Sequence, residues 1–382
     1  MIIKNVKVYT EDKKFEEGTI AIQDGKFAKE PQKTANGEII DGEGCYAIPG
    51  LIDIHFHGCK GYDFCDGTIE AIAEIAKYEA SVGVTGICPA TMTLPVEELK
   101  QILSIAASYK KAAETEKGQA ADLLGINMEG PFISIEKKGA QDQRNIISCN
   151  KEICRQFLDA SAGLVKFVGI APEKSKDAQS FIREMKQWVN ISLAHSNADY
   201  DTALAAFEAG ANHAVHLYNA MPPFAHRAPG VVGAAADSPW VNAELICDGV
   251  HIHPSVVRAT LKMMGKERII FISDSMRATG MPDGRYTLGG LEVEVAGNCA
   301  TLVSNGVLAG SATNLMDCMR TAVKKMGIPL ETAVACATVN PAKALGEFEF
   351  YGSIAPGKKA NVVLLDQDLE LKLVVKDGVS IV

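Results

Sequence analysis

The chain has 382 residues, of which 22% are charged and 47% hydrophobic, a composition typical of a folded globular protein. Its formal net charge of −9 argues against nucleic acid and anionic membrane surfaces as partners. The ten cysteines form no CxxC pair, and several lie in apolar segments such as 84–91 and 244–250, which is typical of reduced, buried thiols. The first residues lack the pattern of a signal peptide, and no apolar segment reaches the ~18 residues of a membrane span, so we expect a cytoplasmic protein.

Both ends of the chain are rich in predicted strands. The segment 1–48 alternates polar and apolar residues, with an Asp24-Gly25 turn between two such stretches. The last residues, 350–382, show the same alternation and a second Asp-Gly turn. We therefore predict that 1–48 and 350–382 together form a small β-sandwich domain, separate from residues 49–349.

Continuous apolar segments alternate with amphipathic helical segments in the middle of the chain. This pattern indicates a parallel sheet that is covered on both faces by helices. Eight repeats over this length favour an α/β fold of the (β/α)8 TIM-like barrel type over an open sheet. The eight predicted strands are 50–57, 84–91, 122–130, 165–172, 191–196, 213–219, 243–251 and 268–275, and residues 286–306 are predicted to insert a β-hairpin after the last of them.

Histidines concentrate at the ends of these predicted strands. His55 and His57 end the first strand in the segment "LIDIHFHGC", and their alternate spacing places both side chains on one face. His195, His216 and His251 end the fifth, sixth and seventh strands, so five of the eight histidines follow this pattern. The carboxyl ends of barrel strands meet at one face, where active sites of this fold lie.

Two carboxylates extend the pattern. Glu129 ends the third strand and Asp274 ends the eighth. Imidazole and carboxylate ligands suit zinc, iron(II) and similar metals, so we predict a metal site at this face. An aspartate beside such a site can take a proton from the attacking water and later deliver it to a leaving group. The set therefore predicts metal-dependent hydrolysis of an amide, an ester or a related bond at a carbonyl.

The remaining histidines are interpreted as structural. His213 opens the sixth strand and is expected to be a surface or capping residue. His226 lies in a predicted loop, and His253 precedes Pro254 at the start of a predicted helix.

Longer stretches resemble the amidohydrolase superfamily, in particular its branch of deacetylases that act on phosphorylated N-acetyl amino sugars. "PGLIDIHFHG", "MEGPFISIEKKGA", "HLYNAMPPFAHRAPG", "SDSMRATGMPDG" and "LAGSATNL" carry the resemblance, which extends over the whole predicted barrel. Many other relatives have a modified lysine at the end of the fourth strand. Here Lys166 lies at the beginning of that strand, and Glu129 is expected to replace the missing lysine.

The resemblance implies a role for each site residue. Glu129, His195 and His216 would bind the principal divalent metal, and His55 and His57 would bind a second metal that shares Glu129. We expect one or two metals per subunit, of Zn, Fe, Co or Mn, with two predicted, and Asp274 as general base and acid. A phosphosugar substrate would contact Ala140, Gln141, Asn219, Ala220, Arg227, His251, Leu308, Ala309 and Gly310. Arg227 would reach the phosphate from the partner subunit of a homodimer.

Gln141 departs from the pattern of the branch, because many members carry a histidine there that is thought to hydrogen-bond the acetyl carbonyl. A glutamine amide donates a hydrogen bond but carries no positive charge. A second metal can polarise the carbonyl as a Lewis acid instead. Our hypothesis is that the metal held by His55 and His57 compensates for Gln141.

The sequence leaves three alternatives open for the substrate and the activity. The substrate sugar can be gluco- or galacto-configured, because one hydroxyl contact distinguishes the two. A cyclic-amide hydrolase of the same superfamily is disfavoured by the missing strand-four lysine and by the "HLYNAM" segment. A catalytically silent scaffold is disfavoured because the predicted ligands and the predicted base are all present.

Overall fold

The computed structural model describes residues 1–30, 38–113 and 119–382. Residues 31–37, which belong to the predicted terminal domain, lie outside the described residues. In chain order the strands are β1 (Ile2–Tyr9), β2 (Phe15–Gln23), β3 (Lys26–Ala28), β4 (Ile39–Asp41), β5 (Tyr46–Pro49), β6 (Leu51–Asp53), β7 (Gly58–Cys59), β8 (Tyr62–Asp63), β9 (Val84–Ile87), β10 (Ala90–Thr91), β11 (Asp122–Leu123), β12 (Ile126–Phe132), β13 (Val165–Ile170), β14 (Asn190–Leu193), β15 (His213–Ala214), β16 (Asn242–Ile246), β17 (Ile269–Ile272), β18 (Gly284–Leu288), β19 (Leu291–Ala296), β20 (Cys299–Leu302), β21 (Val362–Leu365), β22 (Leu371–Lys376) and β23 (Val379–Ser380).

The helices lie mostly between the strands of the middle segment. They are α1 (Ile69–Ser81), α2 (Val96–Ala113), α3 (Lys151–Ala160), α4 (Ala178–Met185), α5 (Tyr200–Ala209), α6 (Gly230–Asp237), α7 (Pro254–Met264), α8 (Leu315–Lys324), α9 (Leu330–Ala337) and α10 (Val339–Leu345). α1 is an example of how the sequence specifies a helix. The Thr68 side chain caps it by accepting a hydrogen bond from the Ala71 amide at 3.1 Å, and Ile72 and Ile75 are buried on one face. Among the described residues, no helix combines the length and the apolar character that a membrane crossing needs.

Eight parallel strand positions follow one another through the middle of the chain. β6 is the first position and pairs with β9. The second position consists of two short strands, β9 and β10, and the third consists of β11 and β12; β9 pairs with β11, and β10 pairs with β12. From β12 the order continues through β13, β14, β15, β16 and β17, and every neighbouring pair is parallel. These positions coincide with the eight predicted strands, so the predicted barrel architecture is confirmed.

The last strand returns to the first at the carboxyl ends of the barrel. The Asp274 amide donates to the His55 carbonyl at 3.0 Å, and the His57 amide donates to the Ser275 carbonyl at 2.7 Å. Because these bonds join the segments that follow β6 and β17, the backbone alone holds the histidine pair and Asp274 close together.

The two ends of the chain share one mixed sheet of eight strands. Its order is β23-β22-β21-β5-β1-β2-β3, and β4 also pairs with β1. β21 runs antiparallel to β5, with Val363 opposite Ile48. A separate apolar cluster that includes Ile3, Phe27 and Val375 is buried on this sheet. Hydrophobic burial of residues from both termini explains why the terminal β module forms; the limits at 48/49 and 349/350 remain a prediction.

The insertion after the eighth strand differs from the prediction. Instead of a hairpin over 286–306, β18, β19 and β20 form an antiparallel sheet of three strands. Alternate residues of these strands, among them Leu288 and Val293, are buried in a small apolar cluster with Met92 and Ala140. The hairpin prediction was wrong because the Gly297-Asn298 turn adds one more strand. The sheet packs over the rim of the barrel, where it covers one side of the site.

Asp122 joins the barrel to the terminal sheet. Its carboxylate accepts hydrogen bonds from the Tyr351 hydroxyl at 2.7 Å and from Lys359 at 2.9 Å, and it lies 3.1 Å from the ammonium of Lys376, whose side chain is 2% exposed. Burial raises the pKa of Asp122, but the charges of Lys376 and Lys359 outweigh it and hold the pKa below its ordinary value. The carboxylate is therefore ionised at neutral pH.

We expect Asp122→Ala to lower the free energy of unfolding by about 2 kcal/mol, because buried Lys376 loses one of its two carboxylate partners. A group with a depressed folded-state pKa stabilises the fold above its unfolded pKa of about 3.9 and loses that contribution as the pH falls. The free energies of urea unfolding of the unmodified chain and of Asp122→Ala should therefore differ at pH 7. The difference should shrink as the pH falls below ~4. Exposed Asp12→Ala is the control; an equal loss in both variants, or a pH-independent difference, would contradict the prediction.

Candidate metal centre and active site

The carboxyl ends of the barrel strands surround a cavity of about 340 Å³. Every residue that the sequence predicts for the site lines this cavity, except His55 and Arg227. His55 is fully buried directly behind it, 3.2 Å from Glu129. Arg227 lies in an exposed loop outside the cavity lining. The fold therefore assembles in one place side chains that are far apart in the chain, such as His55 and Asp274, which are 219 residues apart.

Glu129 lies at the centre of the site on β12. Its Oε1 atom is 2.9 Å from Nε2 of His216, 3.1 Å from Nε2 of His195 and 3.2 Å from Nε2 of His55. Its Oε2 atom is 3.4 Å from Nε2 of His57. Burial raises the pKa of Glu129, but the neighbouring His195 and His55 outweigh it and hold the pKa well below its ordinary value.

Backbone carbonyls fix which nitrogens face the centre. Nδ1 of His195 lies 2.7 Å from the Lys137 carbonyl, and Nδ1 of His216 lies 3.1 Å from the Asn219 carbonyl. A carbonyl oxygen only accepts, so each Nδ1 donates its proton outward. Each Nε2 then presents its lone pair toward Glu129, as a metal ligand requires.

The same strand ends carry unusual backbone conformations. His195, His216 and Asp274 have φ values of 45°, 27° and 50°, in the left-handed region that residues with a side chain rarely adopt. Such conformations persist only where the surrounding structure holds them, and they concentrate at functional sites. Here they turn the three side chains from the strands into the cavity.

Asp274 lies next to the histidine pair that follows the first strand of the barrel. Its Oδ1 atom is 3.4 Å from Nε2 of His57 and 3.8 Å from Nε2 of His55, and the residue is 8% exposed. Burial raises the pKa of Asp274, but the His57 hydrogen bond and the charge of His55 outweigh it and lower the pKa. An ionised carboxylate at the cavity wall has the state that a general base needs.

His251 is held at the cavity by Asp248. Its Nδ1 atom donates to Oδ2 of Asp248 at 2.7 Å, and the backbone amides of Val250 and His251 donate to Oδ1 at 2.8 and 2.9 Å. Because the carboxylate accepts the Nδ1 proton, Nε2 of His251 remains for another partner. Asp248 lies three residues before His251 and was not among the predicted site residues.

Gln141 contacts Glu129. The Thr93 amide donates to its Oε1 atom at 2.6 Å, which identifies the oxygen and leaves Nε2 as the donor. That Nε2 atom donates to Oε2 of Glu129 at 2.6 Å and also lies 3.8 Å from the sulfur of Met92. Gln141 lines the cavity as predicted, but its amide nitrogen donates to Glu129, a contact that was not predicted.

The predicted phosphate residues are only partly brought together. Asn219 and Ala220 line the cavity, and Ala220 has a φ of 51°. The Asn219 backbone amide donates to the His216 carbonyl at 2.9 Å, so this amide is already occupied by a hydrogen bond within the turn. Leu308, Ala309 and Gly310 line the side next to the three-stranded sheet.

The interpretation of His213 as a surface or capping residue is wrong. His213 is 1% exposed, and its Nε2 atom donates to Oε1 of Glu244 at 2.9 Å. Glu244 was missed as well, although a glutamate within the apolar strand β16 is itself a signal, because a buried charge needs partners. His226 is exposed in its loop, and His253 caps α7, as expected.

The donor set fits a divalent metal. His55, Glu129 and His216 form one group of buried ligand atoms within 4.8 Å of one another, and His55, His57 and Asp274 form a second. Nε2 of His55 is buried, and none of the described residues forms a hydrogen bond with it. Imidazole nitrogens and carboxylate oxygens that converge in this way suit Zn²⁺ and related cations, so the cluster is a divalent-metal site. Lys166, the nearest candidate for a strand-four lysine ligand, instead lies 3.6 Å from Glu347.

The comparisons with known proteins agree with this geometry. The amidohydrolase family matches residues 46–381. The chain is 35% identical over 383 residues to an N-acetylglucosamine-6-phosphate deacetylase of Bacillus subtilis, covering 99% of this chain and 96% of that one. It is 34% identical over 375 residues to an N-acetylgalactosamine-6-phosphate deacetylase of Escherichia coli O157:H7, covering 97% and 96%.

A solved structure shares the whole fold. It is a mutant N-acetyl-D-glucosamine-6-phosphate deacetylase of Mycobacterium smegmatis in complex with N-acetyl-D-glucosamine-6-phosphate. It superposes with a TM-score of 0.91 at 31% identity and covers 100% of this chain and 98% of its own. With the barrel, the metal-binding cluster and these full-length relatives in agreement, the chain belongs to the amidohydrolase family of hydrolases.

Proposed function

We propose that the chain deacetylates N-acetyl-D-glucosamine 6-phosphate, giving D-glucosamine 6-phosphate and acetate, as a step of amino-sugar catabolism. The observation that carries the proposal is the position of Asp274, an ionised carboxylate 3.4 Å from His57 at the wall of a cavity whose centre is Glu129. Full-length relatives named as deacetylases support the choice of substrate.

We assign two divalent metals per chain, of Zn, Fe, Co or Mn. Glu129, His195 and His216 would hold the principal metal, and His55, His57 and Glu129 the second. When bound, a divalent cation supplies the positive charge that favours deprotonation of water and polarises a carbonyl. The short separations of these ligand atoms around Glu129 support a shared carboxylate.

Asp274 would move the proton during the reaction. It accepts a proton from water while the water oxygen attacks the acetyl carbonyl carbon. The carbon–nitrogen bond then breaks, and Asp274 delivers the proton to the departing amine nitrogen. Its low pKa keeps it ionised before the attack, and its burial keeps bulk water away from the transferred proton.

The cavity rim would bind the sugar and its phosphate. Nε2 of His251 is free to contact a sugar hydroxyl, since Nδ1 is committed to Asp248. Asn219, Ala220 and Arg227 would contact the phosphate, and the acetyl group and ring would lie against the remaining predicted contacts, Ala140, Gln141, Leu308, Ala309 and Gly310. The volume of about 340 Å³ suits a monosaccharide.

Arg227 supports a homodimer. It is exposed and lies outside the cavity of its own chain, yet an arginine is well suited to bidentate phosphate binding. We propose that Arg227 serves the site of the partner subunit. A cytoplasmic location is proposed as well, since all ten cysteines are unpaired thiols, as expected in a reducing compartment.

The test is release of acetate from purified, metal-loaded chain. We expect N-acetylglucosamine 6-phosphate to be cleaved with a higher kcat/KM than N-acetylgalactosamine 6-phosphate, and a cyclic amide not at all. The relative named for the galacto substrate, 34% identical, makes that epimer the second candidate. Preference for the galacto epimer would reassign the sugar; no acetate from either phosphosugar would overturn the proposed function.

A further inference from the structure

Glu244 lies beneath the metal centre and touches neither the cavity nor any predicted substrate contact. Glu244 is 0% exposed on β16, and both of its carboxylate oxygens have hydrogen-bond partners. Oε1 accepts from Nε2 of His213 at 2.9 Å. Oε2 accepts from Nδ1 of His55 at 2.8 Å and from the backbone amide of His216 at 3.1 Å. A single buried carboxylate therefore joins two predicted metal ligands that follow different strands of the barrel, β6 and β15.

The first consequence concerns the tautomer of His55. Oε2 of Glu244 accepts from the backbone amide of His216, and Oε1 accepts from Nε2 of His213, so this carboxylate acts as a hydrogen-bond acceptor through both oxygens. Nδ1 of His55 must then carry the proton that it donates to Glu244. Its Nε2 atom lies 3.2 Å from Oε1 of Glu129 and has no hydrogen-bond partner within the described part of the chain. This is the arrangement in which an imidazole offers its lone pair to a metal.

The second consequence concerns the backbone of His216. Its φ of 27° is a conformation that a histidine rarely adopts. The hydrogen bond from its amide to Glu244 helps to hold that conformation, which directs the side chain to within 2.9 Å of Glu129. Loss of the Glu244 carboxylate would therefore loosen one predicted ligand through its side chain and another through its backbone.

We propose that Glu244 is a positioning residue of the metal centre, which fixes the His55 tautomer and the His216 backbone, with His213 holding the second oxygen of the carboxylate. This inference rests on the proposed metal-dependent function and deepens it. Hydrogen-bond partners of this kind, behind the ligands themselves, typically change metal affinity by 10–100-fold when they are removed.

The test compares Glu244→Gln with Glu79→Gln. Glu79 is also a glutamate at 0% exposure, on α1, and its carboxylate oxygens have no hydrogen-bond partner among the residues that the structure describes. Both variants thus exchange a buried carboxyl group for an amide of nearly equal size. Purified chains are stripped of metal with a chelator and titrated with Co²⁺, which is followed by calorimetry and by visible absorption; Tm is measured without metal.

We expect Glu244→Gln to bind Co²⁺ 10–100-fold more weakly, with an altered absorption spectrum, and Glu79→Gln to bind as the unmodified chain does. Unchanged affinity and spectrum in Glu244→Gln would overturn the inference, even if Tm falls, because a lower Tm alone reports a structural role. Where Glu244→Gln does not fold, Glu244→Asp keeps the charge but shortens the reach to His55 and His213, and the same criterion applies. Acetate release is assayed separately, so failure of the deacetylase proposal is distinguishable from failure of this one.

Discussion

Asp274→Asn is expected to lower kcat/KM for acetate release by on the order of 10³-fold, within the range that general acid–base groups contribute. The amide keeps the size of the side chain but can neither take the proton of the attacking water nor return it to the amine. Substrate binding and metal content are expected to stay close to those of the unmodified chain, since Glu129 and the four predicted ligand histidines are untouched. Steady-state kinetics with metal analysis of the same preparation measures all three quantities.

The control for this prediction is Asp201→Asn, an exposed aspartate on α5 outside the cavity lining. It should behave as the unmodified chain does. A loss of less than about tenfold in Asp274→Asn would remove Asp274 from the proton transfer, because a single acid–base group is worth more than that. Loss of metal together with activity would instead identify Asp274 as a metal ligand in practice.

His55→Ala has the second large effect. We expect the metal content to fall from two ions per chain to one and kcat to fall on the order of 10²–10³-fold, because the Lewis acid that is proposed to polarise the acetyl carbonyl is lost. Gln141 is poorly placed to take over, since its amide nitrogen already donates to Glu129 at 2.6 Å. Metal analysis and acetate release on one preparation provide the measurement.

The double variant His55→Ala with Gln141→His separates the two roles. A histidine at this position can donate a charge-assisted hydrogen bond to the carbonyl. If carbonyl polarisation is what His55→Ala loses, the double variant should regain part of the rate while it still holds one metal per chain. Full activity of His55→Ala with a single metal would refute the compensation between Gln141 and the second metal.

The sequence alone predicted much of the architecture and most of the site. Buried parallel strands are continuously apolar, as in the IIFI segment of β17, so their positions were readable. The strand ends could be aligned at one face because parallel strands in a barrel share their direction. Glu129, His195, His216 and Asp274 were therefore predicted as one group, although more than 140 residues separate Glu129 from Asp274.

Local patterns were insufficient where a partner lies far away in the chain. His213 looked like a capping residue because its partner, Glu244, is 31 residues away on the next strand. The third strand of the insertion was missed because short alternating segments do not reveal how many strands pair with one another. Gln141 was expected to face substrate, and its bond to Glu129 depends on how two separate loops approach each other.

The residue types and their order determined the barrel, the terminal β module and the kind of chemistry, because hydrophobic periodicity and strand-end polarity are local properties of the chain. Tertiary structure alone decided which nitrogen of His195 and of His55 faces Glu129, since the Lys137 carbonyl and the Glu244 carboxylate, both from distant segments, hold the opposite nitrogens. It also decided that Asp274 meets His57 at 3.4 Å, because hydrogen bonds between the first and last strands set that approach. Hydrogen-bond geometry depends on distances between segments, and these distances arise only when the barrel closes.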